Sequence, residues 1–187
     1  MERRDFLKNT LNAGAAILVG QAAGTAVAGE ARRASRHVDP EQMVRAARKY
    51  FLNDHRSCSE AMLLVGSQAL GIDSPLIPDI ALGLSSGLGK QGHTCGVILG
   101  AAMVASLAAA QRERDRARKK KAVSAAVAKI CSKFEKQHGS IECRALIGLD
   151  LATPEGKTRH KAGIRGKRCG QFVETGARLM AEMLACL

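Results

Sequence analysis

Apolar residues in this chain return at intervals of three and four, the period of a helix face. The longest such stripe is C-terminal: Cys169, Phe172, Val173, Gly176, Leu179, Met180, Met183, Leu184 and Leu187. Met43, Ala46, Ala47, Tyr50 and Phe51 repeat the pattern, and Asp39 with Pro40 supplies an N-cap and a first-position proline ahead of them. A second helix is predicted from Ser57, where Ser-x-x-Glu60 reads as a capping box, to Gly71. Residues 72–78 hold two prolines and read as a loop, and residues 79–86 as a short helix or turn. A long helix is predicted from Thr94, as N-cap, to Arg112 or beyond. Val123, Val127, Ile130, Cys131 and Phe134 mark another, which His138 and Gly139 stop. A short helix over residues 141–148 and a Pro/Gly-containing loop over 152–166 lead to the last stripe. Nothing in this pattern alternates as a strand does. The expected fold is all-α, a compact multi-helix bundle of about six or seven helices.

Composition adds a constraint on packing. Hydrophobic residues make up 46% of the chain but aromatics only 3%, with no Trp and one Tyr. The core must be built from Ala, Leu, Val, Ile and Met, which suits closely approaching helices.

The first 28 residues read as a leader rather than as part of the fold. Arg3 and Arg4, followed by Phe6, Leu7 and Lys8, resemble a twin-arginine export signal. An uncharged Ala- and Gly-rich stretch and the small-x-small triplet Ala26, Val27, Ala28 complete it. This implies a periplasmic or otherwise exported protein, membrane-anchored if the leader stays uncleaved. Residues 29–38 read as a flexible tether, and residues 39–187 as the helical domain.

The formal net charge is +12, and the densest basic run is RERDRARKKK over residues 112–121. It reads either as a patch for an anionic partner or as a solvated helix face and linker. Nucleic acid is not an expected partner, because the aromatic platforms that stack bases are missing.

Six cysteines lie beyond the leader, at positions 58, 95, 131, 143, 169 and 186. There is no C-x-x-C, no haem-attachment motif and no zinc-finger spacing. Any shared site must therefore be assembled in space, with each helix contributing a ligand. Cys58, Cys95 and Cys143 are predicted at helix starts and Cys169 opens the last helix, where the helix dipole favours a thiolate. Cys131 sits mid-stripe and reads as a core residue; Cys186 lies at the frayed C-terminal end.

The stretch GLGKQGHTCGVILGAA surrounds Cys95 with glycine. Gly96 and Gly100 share a helix face and permit close approach of a neighbour. Gly87, Gly89 and Gly92, with Gly83, precede the helix, where exposed N–H groups could face a sulfur-held charge. Gly89 and Lys90 are not followed by Ser or Thr, so the stretch is no phosphate loop. His93 could polarise Cys95 or simply face solvent; His55 and His138 complete no hydrolase or transferase constellation.

These residues resemble the redox-active family named for its C_GCAxxG_C_C pattern. The motif here is Cys95-Gly96-Val97-Ile98-Leu99-Gly100, with Val97 in place of Ala, and residues 82–89 resemble the glycine-rich lead-in. Cys58 in CSEAMLL, Cys143 in GSIECRALIGLDL and Cys169 in KRCGQFV match the other family cysteines. The likeness runs over nearly all of residues 41–184. Split-Soret cytochromes contain a related domain that carries an iron–sulfur cluster beside their haem, and this chain lacks the haem motif. The resemblance thus implies a cluster, [2Fe–2S] being the expected form, on Cys58, Cys95, Cys143 and Cys169, with Gly87, Gly89, Gly92 and Gly96 wrapping it. Two alternatives stay open. One is metal-free thiol–disulfide chemistry through Cys95 and Cys58. The other is a disulfide- or zinc-braced helical module. Expected partners are a redox protein or a membrane transporter component, and the chain could form a homo-oligomer.

Overall fold

The computed structural model describes residues 38–187. The leader expected over residues 1–28, and the tether up to residue 37, lie outside the described residues. The domain is all-α, as the periodicity requires: seven α-helices and no strand among the described residues.

Helix α1 (Pro40–Arg48) starts as predicted, with the Asp39 carboxylate accepting from the Glu41 N–H. It buries Met43, Val44 and Ala47 and then widens into a π-helical turn, Lys49–Asn53, that buries Phe51. Helix α2 (Cys58–Ala69) has the full capping box: the Ser57 hydroxyl accepts from the Glu60 N–H, and the Glu60 carboxylate accepts from the Ser57 N–H. A 3₁₀ helix, Asp79–Leu84, precedes the glycine-rich loop.

Helix α3 (Gly96–Arg112) and helix α4 (Arg116–His138) are separated by a break at residues 113–115. Asp115 caps α4 by accepting from the Arg118 N–H, and Arg118 Nε donates to Glu113 at 2.8 Å. The basic run is therefore a helix-to-helix linker leading into a mostly solvated helix face. α4 ends at Gly139, whose φ of 81° closes the helix in the left-handed conformation. Helix α5 (Cys143–Ile147) is short, and helix α7 (Gly170–Cys186) carries the C-terminal stripe.

The core lies between α2, α3 and α7, with α1 and α4 on its flanks. Met62, Val97, Val104, Val173 and Met180 are fully buried there. Small residues let the helices approach: a Cβ on Gly176 would come within 2.1 Å of Val97 Cγ1, and one on Gly100 within 2.7 Å of Met62 Cβ. Two phenylalanines and a histidine pack together between α4 and α7. Phe134 stands 6.0 Å from Phe172 between ring centroids, and His138 packs edge-on to Phe172 at 4.9 Å.

One expectation is overturned. Residues 152–166 are largely helical rather than a loop, contributing helix α6 (Pro154–Arg159) and most of a π-helical segment, His160–Cys169. The glycines suggest a loop by propensity, but local chemistry starts a helix: Thr153 caps it, accepting from the Gly156 N–H, and Pro154 occupies its first position. Gly156 lies against the chain, where a Cβ would clash with Asp150 O at 1.8 Å. The segment is kinked at Gly163, with φ 156° and ψ −24°. No described helix is long and apolar enough to cross a membrane.

Candidate functional site

Cys58, Cys95, Cys143 and Cys169 line one cavity. They arrive from four separate segments of the chain. Cys58 is the first residue of α2, held there by the capping box. Cys95 is itself the N-cap of α3, whereas Thr94 was the expected cap; Thr94 instead pairs with Glu142 in an isolated antiparallel bridge. Around that bridge the Cys95 N–H donates to Ile141 O at 2.8 Å and the Cys143 N–H to His93 O at 2.7 Å. Backbone pairing thus joins the leads into α3 and α5 and delivers two cysteines, one on either side of the bridge, to the same cavity. Cys169 stands at the joint between the π-helical segment and α7, with helical φ/ψ of −64° and −31°. It does not open a free helix end, because the kinked segment runs continuously into α7.

None of the four expected glycines lines the cavity, and of them only Gly96 makes a close approach to a cavity cysteine. A Cβ on Gly96 would stand 2.5 Å from Cys58 Sγ, so a side chain there would push the first cysteine out of place. Gly87 has φ 71° and lies against the backbone of His93, where a Cβ would meet N and O at 2.5 Å. Gly92 is buried against Arg144, and Gly89 faces open space. The loop reaches the cavity through Ser86, whose N–H donates to Cys58 sulfur.

The electrostatics divide the four thiols. The Cys95 thiol donates to Cys58 sulfur, and that bond is the main cause that lowers Cys58 from 9.0 to about 6; burial opposes it, and N–H groups of Ser86, Ser59 and Cys58 itself add to it. Cys95 is raised correspondingly, first because its proton is held by Cys58 and then by burial. The pair therefore holds one proton between two sulfurs over the neutral range. Cys143 and Cys169 are each pushed up to about 12, chiefly by burial, and next by the negative charge on Cys58. Arg165 and Arg168 partly offset this at Cys169.

The rest of the wall is largely apolar: Phe51, Val97, Leu146, Ile147, Leu151 and Phe172, around a free interior of about 40 Å³. His160 and Arg165 complete it. His160 Nε2 stands 3.5 Å from Cys169 Sγ. Arg165 lies over the Phe51 ring, 4.0 Å from its centroid. Neither was singled out by the sequence, where both sit in a run of Lys and Arg with no distinguishing spacing. His93, the histidine nearest Cys95 in sequence, is exposed and outside the cavity wall; it contributes its backbone instead. Cys131 is half-buried against the core and Cys186 is exposed, so neither belongs to the site.

Among the described residues no three His, Cys, Asp or Glu side chains are grouped to hold a single ion. A two-iron cluster asks for something else: four thiolates around a common space, two to each iron. Four thiols on one cavity, one of them already acidic and fed by backbone N–H groups, fit that demand in kind.

Neither the curated proteins nor the solved structures contain a match to this chain. A family model does match, over residues 56–183, a span that includes all four cavity cysteines and leaves Cys186 outside. Its description is "Putative redox-active protein (C_GCAxxG_C_C)", and the chain belongs to this family of cysteine-patterned redox-active proteins.

Proposed function

We propose that the protein is an exported one-electron redox protein whose Cys58, Cys95, Cys143 and Cys169 hold a [2Fe–2S] cluster. The observation that carries this reading is the convergence of four sulfurs, 111 positions apart at the extremes of the sequence, on one cavity. When bound, the cluster supplies a reversible one-electron couple. The protein's part is to bind and to insulate. Cys58 offers a thiolate near neutral pH, and the N–H groups of Ser86 and Ser59 stabilise charge on it. Cys143 and Cys169 hold their protons until a cation replaces them, because burial disfavours the bare thiolates. The largely apolar wall lowers the local dielectric around the sulfurs, and Val97 contributes its N–H toward Cys95. The twin arginines at positions 3 and 4 support an extracytoplasmic setting, where the partner is another redox protein or a membrane transporter component.

Anaerobic purification, with iron and acid-labile sulfide analysis and a visible spectrum, tests this. Two irons and two sulfides per chain, lost on Cys143→Ser, are expected. A colourless, iron-free protein that stays so after reconstitution with iron and sulfide would refute the reading.

A second reading rests on the Cys95–Cys58 hydrogen bond. The pair is arranged as a dithiol with one acidic member. The Cys58 thiolate would attack a partner protein's disulfide and form a mixed disulfide, releasing one partner thiolate. Cys95, giving its proton to that thiolate, would then close the Cys58–Cys95 disulfide and free the reduced partner. Trapping of the mixed disulfide by Cys95→Ala, with full activity in Cys143→Ser, would favour this reading over the cluster.

A further inference from the structure

Among the described residues, Arg165 is the one permanently charged side chain in the wall of the cysteine cavity. It is held more firmly than a surface arginine. Its guanidinium carbon sits over Phe51, 4.0 Å from the ring centroid. Its Nη2 donates to Phe51 O and, at 3.0 Å, to Arg56 O. Those acceptors lie within and just beyond the π-helical turn that leads into Cys58, two residues past Arg56. Arg165 itself belongs to the kinked segment that ends at Cys169. One side chain thus bridges the leads into the first and last cysteines, over more than a hundred residues of chain, and leaves a fixed cation in the wall of the cavity they share, where its charge acts on Cys169. A guanidinium suits both tasks, since it forks its donors, stacks on an aromatic face and never loses its charge.

We propose that Arg165 is a positioning residue of the redox site and the fixed charge that raises its reduction potential. The inference rests on the four-cysteine site being the redox centre. Each electron delivered by a one-electron carrier protein makes the site one unit more negative and leaves Arg165 unchanged. A cation held in a low-dielectric wall stabilises that reduced form more than the oxidised one, so the couple moves to higher potential. The same sign holds for a dithiol couple, whose reduced form carries the thiolate. Lys cannot reproduce the arrangement: it keeps the charge but loses the fork and the stacking plane.

The test is a mediated redox titration of the full chain, cofactor-loaded and folded by far-ultraviolet circular dichroism, in the wild type, Arg165→Lys and Arg165→Gln. A dithiol couple would be poised instead with a glutathione buffer. The midpoint should fall in Arg165→Gln and fall less in Arg165→Lys, while both variants melt at lower temperature than the wild type. Phe51→Leu, which removes the stacking plane but no charge, should behave like Arg165→Lys. A folded Arg165→Gln with the wild-type midpoint would overturn the inference and leave the redox reading standing. Equal shifts in the Lys and Gln variants would also overturn it, by removing the role of charge. A wild type with no titratable couple of either kind would sink both, and is told apart by the control itself.

Discussion

The packed middle of the bundle and the cysteine end are built on different principles. Between α2, α3 and α7 the contacts are apolar side chains at helical spacing, with glycine at the closest crossings. At the cysteine end regular helix gives way to caps, π-helical turns and left-handed residues, among them the non-glycine Ser86, Leu88 and Lys90. Two of the six cysteines, 131 and 186, lie away from this end, and they are the two that the cavity does not include. The contrast teaches that the bundle supplies stability through periodic burial, whereas the site is held by single polar bonds and close approaches. A truncation deep in the bundle should therefore cost stability without altering the sulfur chemistry, and loss of a cysteine sulfur the reverse.

The largest separation is expected from Cys95→Ser. Loss of cofactor or of dithiol chemistry should be complete while the helical spectrum persists, because Cys95 caps α3 through its backbone carbonyl and a hydroxyl occupies nearly the same space as the thiol. Full retention of iron and redox activity in this variant would erase the distinction between the two regions. The converse is Phe134→Ala in the bundle. A fully buried phenylalanine truncated to alanine should cost about 3–5 kcal/mol in denaturant unfolding. The sulfur chemistry should survive in whatever fraction remains folded.

Gly96→Ala probes the seam between the regions. Its new Cβ must displace Cys58 Sγ from 2.5 Å, which predicts a penalty of about 1–3 kcal/mol together with a changed site. Unfolding at the wild-type midpoint with an unaltered spectrum would place the seam elsewhere.

pH supplies a gentler probe on the cofactor-free, reduced protein. Cys58 is lowered in the fold to about 6 from 9.0, so its stabilising contribution is present above pH 9 and is lost as pH falls through about 6. Cys143 and Cys169 are raised from 9.0 to about 12, so theirs is present below pH 9 and fades as pH climbs toward 12. Stability should peak near pH 9, and alkylation of Cys58 should follow a midpoint near 6. A monotonic stability profile from about pH 5 to about pH 11 would contradict this. The smallest effect is expected from Cys186→Ser, which is exposed and outside the site; a shifted unfolding midpoint or spectrum there would extend the site beyond the cavity.

Much of this molecule was legible in its residues taken alone. The stripe of Phe172, Val173, Leu179, Met180, Met183 and Leu184 required α7, since burial of one helical face is a local property of spacing. Ser57 with Glu60, and Asp39 with Pro40, announced helix starts because capping acts within one turn. The kinked helix over residues 154–169 read as a loop because its glycines outweighed the local start signal of Thr153 and Pro154, and the close packing of Gly156 that supports the helix is not visible in sequence. Cysteine order singled out Cys58, Cys95, Cys143 and Cys169, but spacing carries no distances between segments far apart along the chain. Tertiary structure alone decided that Gly96 yields its side-chain space to Cys58, that Ser86 delivers the loop's N–H, and that Arg165 reaches across to Phe51 and Arg56. The physical reason is range: caps and stripes act over one to a few turns, while the charge and shape of a buried pocket depend on which distant segments come to rest against each other.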